Sequence, residues 1–221
     1  MSADFNTTSP LFIRIFRHYT WLLFYRRFKY VWLKSNYIPA PGRSTLYYAN
    51  HSSWWDGLIP LLLNEFYFRQ EGRAIMENKQ MERYRFFKKI GAVPINRSNP
   101  RSALTVLQKS AEFLNHPGRS LYFFPQGRIY TECHPLEFEK GLSKLTQMLS
   151  EGVDIVPLAI SITTIRYDKP ELFLKTDEPV ELSSSLPQQE RNTILEKRLG
   201  QVLKTTQDEA TSESDGFERL V

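Results

Sequence analysis

The run Asn50-His51-Ser52-Ser53-Trp54-Trp55-Asp56 sets an imidazole and, five residues on, a carboxylate inside a stretch otherwise free of charge. A neutral histidine strips a proton from a hydroxyl when its tautomer is fixed and the imidazolium that forms is stabilised. A nearby carboxylate does both. No serine or cysteine of the chain has to attack, because a substrate's own hydroxyl can be the nucleophile. The same spacing also occurs in ordinary turns, where the histidine is only a satisfied polar group, so the chemistry needs partners elsewhere in the chain. Arg97 and Arg128 are the evident anion binders, and Gly127 between their segments lets backbone approach a ligand closely. Gln126 can accept a hydrogen bond from a hydroxyl and also donate one. Trp54 and Trp55 either wall a substrate chain or seal the core. Lys140 either faces a phosphate or stays in solvent.

Such groups work together only if the elements that carry them end near one another. Arg43 to Asn50 reads as a buried strand delivering His51, and Asp56-Gly57 opens an apolar helix to about Phe68. Residues 77–90 read as a basic helix and Ala92 to Asn96 as a strand. Asn99 as N-cap, with Pro100 at the first helical position, starts the clearest helix, which His116-Pro117-Gly118 stops. Ser120 to Phe124 is again a strand, Lys140 to Ser150 a helix and Asp154 to Ile160 a strand. Leu172 to Thr176 adds a strand, and 187–204 a last helix. This alternation predicts an α/β fold, a mostly parallel sheet flanked by helices. Ligands of such sheets gather at the carboxyl ends of strands. His51, Arg97 and Gln126-Gly127-Arg128 all follow predicted strand ends.

Five blocks in this order resemble the glycerolipid acyltransferase family, the 1-acylglycerol-3-phosphate (lysophospholipid) acyltransferases. Asn50 to Asp56 is similar to the family's N-H-x-S-x-x-D. Gly91 to Arg97 is similar to its glycine-strand-arginine block, and Phe124-Pro125-Gln126-Gly127-Arg128 to F-P-E-G-T-R. Phe138-Glu139-Lys140-Gly141 resembles F-K-K-G, and Ile155 to Ile160 the V-P-V-A-I strand. The resemblance implies transfer of a fatty acyl group from an acyl-CoA or acyl carrier protein thioester to the hydroxyl of a lysophospholipid or related lipid acceptor. His51 would be the general base and Asp56 its orienting carboxylate. The second and third blocks, with Arg97, Gln126, Gly127 and Arg128, would hold the acceptor's phosphate and glycerol. No cofactor is implied beyond the thioester co-substrate. The third block departs from the pattern: Gln126 replaces the carboxylate, and the arginine comes one position early. A non-phosphate acceptor, such as a glycolipid or glycosylated isoprenoid, would tolerate that loss. A catalytically idle lipid binder is the remaining alternative, against which the intact His51 and Asp56 stand.

Composition bounds the rest. A 221-residue chain with 41% hydrophobic residues can bury a core. The single cysteine, Cys133, excludes an internal disulfide and points to a reducing compartment. Its neighbour His134 makes a Cys/His pair whose adjacent side chains diverge. The four histidines show no metal-ligand spacing, so no metal is expected. Residues 1–50 carry seven Lys/Arg and one acid against a whole-chain charge of +5, so the positive excess sits at the amino-terminal end. In residues 11–24, Phe12, Ile15, Phe16, Tyr19, Leu22 and Leu23 form a helical stripe with Arg14, Arg17 and Trp21 turned away. Beyond Tyr25 the stripe changes side, which predicts two short helices or one bent one. Aromatic faces backed by basics suit a helix lying in a lipid interface, although packing on the chain's own domain is also open. A nucleic-acid partner is not expected, because these basics back apolar stripes. The apolar runs fall far short of the roughly 20 residues of a bilayer span, and no leader pattern is present. The expected organisation is therefore a membrane-associating helical segment at 1–42, an acyltransferase α/β domain at 43–204 and an acidic, solvated tail at 205–221. The expected location is peripheral, on the cytoplasmic face of a membrane.

Overall fold

The structure, a computed structural model, describes Phe5 and residues 8–130, 135–212 and 216–221. Cys133 and His134 lie outside the described residues. Helix α1 (Pro10–Arg27) starts with Pro10 at its first position and the Ser9 hydroxyl accepting from the Phe12 N–H. Strands β1 (Val31–Ser35), β2 (Ser44–Ala49), β3 (Glu71–Glu77), β4 (Ala92–Ile95), β5 (Arg119–Phe123), β6 (Val153–Thr163), β7 (Glu171–Thr176) and β8 (Glu218–Arg219) form one sheet. Its order is β4-β3-β5-β2-β6-β7-β1-β8. The first five of these are parallel; β7 runs antiparallel to β6, β1 parallel to β7 and β8 antiparallel to β1. The α/β expectation, with a mostly parallel sheet, holds.

Alternate residues of β2 show why both faces are apolar. Tyr47 and Ala49 pack toward α1 and α2 (Ile59–Leu63), with Phe24, Leu58 and Leu62 among their neighbours. Leu46 and Tyr48 pack toward α5 (Pro100–Leu114), α6 (Gly141–Thr146) and α7 (Gln188–Thr211) through Leu107, Leu142 and Leu195. A strand covered on both sides reads as a continuous apolar run, which is how β2 and β6 are visible in the sequence. Helix α5 also begins as expected, the Asn99 side chain accepting from the Ser102 N–H at 3.1 Å.

Five expectations are corrected. The second half of the amino-terminal helical segment is a strand: α1 ends at Arg27, Phe28 turns extended, and Val31 and Leu33 alternate inward in β1. Within α1 the expected stripe splits. Thr20 and Phe24 are buried, Arg17 turns in to Glu65 at 3.4 Å, and Ile15, Tyr19 and Leu22 face outward. Residues 71–77, expected as no element, are β3, and the basic helix of 77–90 is two short ones, α3 (Asn78–Arg83) and α4 (Phe86–Lys89). Finally, the segment from 205 continues α7 to Thr211, because Thr206 and Ala210 extend its buried stripe, and Glu218–Arg219 pair with β1.

Candidate active site

Four neighbouring strands, β4, β3, β5 and β2, present their carboxyl ends to one edge of the sheet. That edge carries Arg97, Glu77, the 124–128 loop and His51 in turn. His51 leaves β2 one residue after Asn50, a buried side chain that fixes the strand end. The Asn50 Nδ2 donates to the Ile160 carbonyl and its Oδ1 accepts from the Ile160 N–H, both at 2.8 Å. The chain then makes a single 3₁₀ turn, Trp54–Gly57, which carries Asp56 back beneath the imidazole.

Asp56 is fully buried. Its Oδ2 accepts from the Ser52 N–H at 2.7 Å and the Ser53 N–H at 2.9 Å, and its Oδ1 from the Ser53 hydroxyl at 2.6 Å. His51 Nδ1 lies 2.9 Å from Oδ2. An oxygen already accepting two N–H groups is an acceptor for the ring as well, so Nδ1 carries the proton and Nε2 keeps its lone pair. The buried carboxylate thus fixes the tautomer that leaves Nε2 an open acceptor, and the same hydrogen bonds hold the loop that bears the imidazole.

The third block grips His51 from the other side. The His51 N–H donates to Gln126 Oε1 at 2.9 Å, and its carbonyl accepts from the Tyr130 N–H at 2.9 Å. Phe124 lies against the imidazole with centroids 4.8 Å apart. Gln126 is buried and does not line the cavity beside the imidazole. Its side-chain oxygen holds the loop of His51 rather than reaching for a substrate hydroxyl.

That cavity has a volume of about 730 Å³ and is bounded by His51, Arg97, Gly127 and Arg128 on its polar side. Trp54, Met76, Phe87, Leu104 and Leu107 are among its apolar walls. The two tryptophans divide the roles open to them. Trp54 walls the cavity, while Trp55 meets the rings of Phe24 and Phe28 edge-on and ties α1 to the His51 loop. Arg97 is bound by two carboxylates, Glu139 at 2.5 Å and Glu77 at 3.3 Å. Gly127 has φ +69°, a conformation that favours glycine, and the Arg97 and Glu139 side chains close over its bare backbone. Arg128 is exposed, its Nε donating to the Tyr130 hydroxyl and its guanidinium lying over that ring. Sequence reasoning gave no role to Asn50, Glu77 and Glu139. Glu77 ends β3, a strand whose polar sequence hides it, while the acid in Phe138-Glu139-Lys140-Gly141 departs visibly from F-K-K-G.

A mostly parallel α/β sheet thus carries a histidine paired with a buried carboxylate at its strand ends. A model of the family described as Acyltransferase matches residues 30–161, and the chain belongs to that family. A 1-acyl-sn-glycerol-3-phosphate acyltransferase of Chlamydomonas reinhardtii is 28% identical over 127 residues, 56% of this chain and 36% of that protein. The chain thus spans about a third of that relative's length. The crystal structure of PlsC from Thermotoga maritima, a 1-acyl-sn-glycerophosphate (LPA) acyltransferase, superposes with a TM-score of 0.62 at 17% identity, covering 87% of this chain and 79% of that one. The two share a fold.

Proposed function

We propose that the chain transfers a fatty acyl group from a thioester donor, acyl-CoA or acyl carrier protein, to the hydroxyl of a lysolipid acceptor. The observation that carries this reading is His51 Nδ1 against the buried Asp56 at 2.9 Å, with the ring on an apolar cavity of about 730 Å³. Nε2 takes the acceptor's proton as its oxygen attacks the thioester carbonyl, and Asp56 stabilises the imidazolium. Collapse of the tetrahedral intermediate expels the thiolate, which the imidazolium reprotonates. A thioester already has a good leaving group, so no covalent enzyme intermediate is needed. The base contributes about 10²–10⁴-fold, and positioning much of the rest. Trp54, Phe87 and Leu107 suit an acyl chain. Lys140 and Lys144, which also line the cavity, suit the donor's phosphates.

The outer face of α1 supports a peripheral membrane site of action. Leu11 is 70% exposed and Ile15 64%, and Tyr19, Leu22 and Tyr25 are exposed with them. Arg14, Arg26 and Arg27 are exposed on the same helix, a combination that suits an anionic lipid interface. Among the described residues no helix is long and apolar enough to cross a membrane. The test is transfer of labelled acyl chains from acyl-CoA or acyl carrier protein to lysolipids in vesicles. A labelled two-chain product is expected from the wild type, and no product from either donor with any acceptor would contradict the reading.

A further inference from the structure

Arg97 comes to the cavity already engaged. Glu139 Oε1 lies 2.5 Å from its Nη1 and Glu77 Oε2 3.3 Å from its Nη2. Each carboxylate takes one arm of the fork that a phosphomonoester would need for two-point binding. One guanidinium and two carboxylates leave this corner with a single net negative formal charge.

The corner is built into the fold. Glu77 ends β3 in register with Ile95 of β4, two residues before Arg97. The Glu139 N–H donates to the Pro125 carbonyl at 2.9 Å, which holds that residue to the loop carrying Gly127. A Cβ on Gly127 would meet Arg97 Nη1 at 2.3 Å and Glu139 Oε1 at 2.8 Å, so the ion pair packs directly on bare backbone. The second arginine of the region, Arg128, is turned onto Tyr130.

We propose that Glu139, together with Glu77, selects against phosphomonoester acceptors, and that the headgroup seated at Arg97 is an uncharged polyhydroxy group such as a sugar or glycerol. A polyol brings hydroxyls that donate to the two carboxylates and accept from the guanidinium without breaking either ion pair. A phosphate dianion meets two like charges and has to displace Glu139 to reach the arginine. Gln126, whose oxygen is spent on the His51 N–H, adds no charge to this corner. The inference rests on the acyl-transfer reading and names its acceptor.

The experiment compares kcat/KM for lysophosphatidate and for an uncharged lysoglycolipid, presented in the same vesicles with both thioester donors. It is run on wild type, Glu139→Gln and Glu77→Gln. Wild type is expected to prefer the uncharged acceptor. Glu139→Gln should shift the ratio toward lysophosphatidate by about tenfold, and Glu77→Gln should shift it in the same direction by less, since its contact is longer. A ratio is unaffected by a general loss of folded enzyme. Wild-type preference for lysophosphatidate, or a ratio left within about twofold by both variants, overturns the selection. Failure of wild type to acylate either acceptor from either donor instead strikes the acyl-transfer reading on which the selection rests.

Discussion

At the scale of single residues, the candidate site depends on few atoms with several duties each. Asp56 orients His51 and, through Ser52 and Ser53, also closes the loop that bears it. The pair is legible because five residues of sequence separation fit within one turn, although the spacing becomes a site only beside the other blocks. The partners of Arg97 were not legible in the same way. Glu77 reaches it from a neighbouring strand and Glu139 from a residue 42 positions away, so both pairings depend on strand order and loop path. Gln126 lies in the expected region, but its oxygen accepts from the His51 backbone N–H and not from a ligand hydroxyl. Gly127→Ala probes this scale. A methyl group at φ +69° and 2.3 Å from Arg97 Nη1 is expected to cost about 1–2 kcal/mol from the left-handed backbone alone. Thermal unfolding should show a Tm lower by several degrees, and an unchanged Tm would contradict the left-handed backbone at this position.

At the scale of elements, those with strong local signals were readable and those held by distant partners were not. Helix α5 has its Asn99 cap and its stripe in the sequence itself. Strand β3, Glu71-Gly72-Arg73-Ala74-Ile75-Met76-Glu77, looks too polar for a sheet interior. It is accommodated because Arg73 turns to the Phe5 carbonyl and to Glu71 while buried. The end of α7 is a similar case. Glu209 reads as part of an acidic tail, yet it accepts from Lys175 at 2.9 Å and Lys34 at 3.1 Å, tying α7 to β7 and β1. Burial works to raise its pKa, but the hydrogen bonds from the two lysines together outweigh it, and the net shift is downward. A carboxylate whose folded pKa lies below the unfolded one, about 4.3, contributes stability that is complete above that value and fades as pH falls through the folded pKa. Glu209→Gln is therefore expected to lose about 1–3 kcal/mol at neutral pH. Melts recorded from pH 7 to pH 3 should show the gap to wild type narrowing below about pH 4. A gap of constant size across that range would contradict the assignment.

At the scale of the whole molecule, the sheet gathers four strand ends beside one cavity, and α1 joins that edge to an apolar outer surface through Trp55. Periodicity predicts one apolar stripe on α1, whereas the helix buries Thr20 and Phe24 and leaves Ile15, Tyr19 and Leu22 facing outward. If that outer row meets lipid, the wild type should float with anionic vesicles and be released by raised salt. Ile15→Glu with Leu22→Glu, both at exposed positions, should abolish flotation while leaving the melting profile in place; unchanged flotation would contradict the lipid contact. The central claim, that His51 removes the acceptor's proton, is tested most directly by the single-turnover rate of acyl transfer in His51→Ala, measured with saturating donor and acceptor in vesicles. The account predicts a rate lower by about 10²–10⁴-fold with the Tm retained. A rate within a few fold of wild type would contradict it.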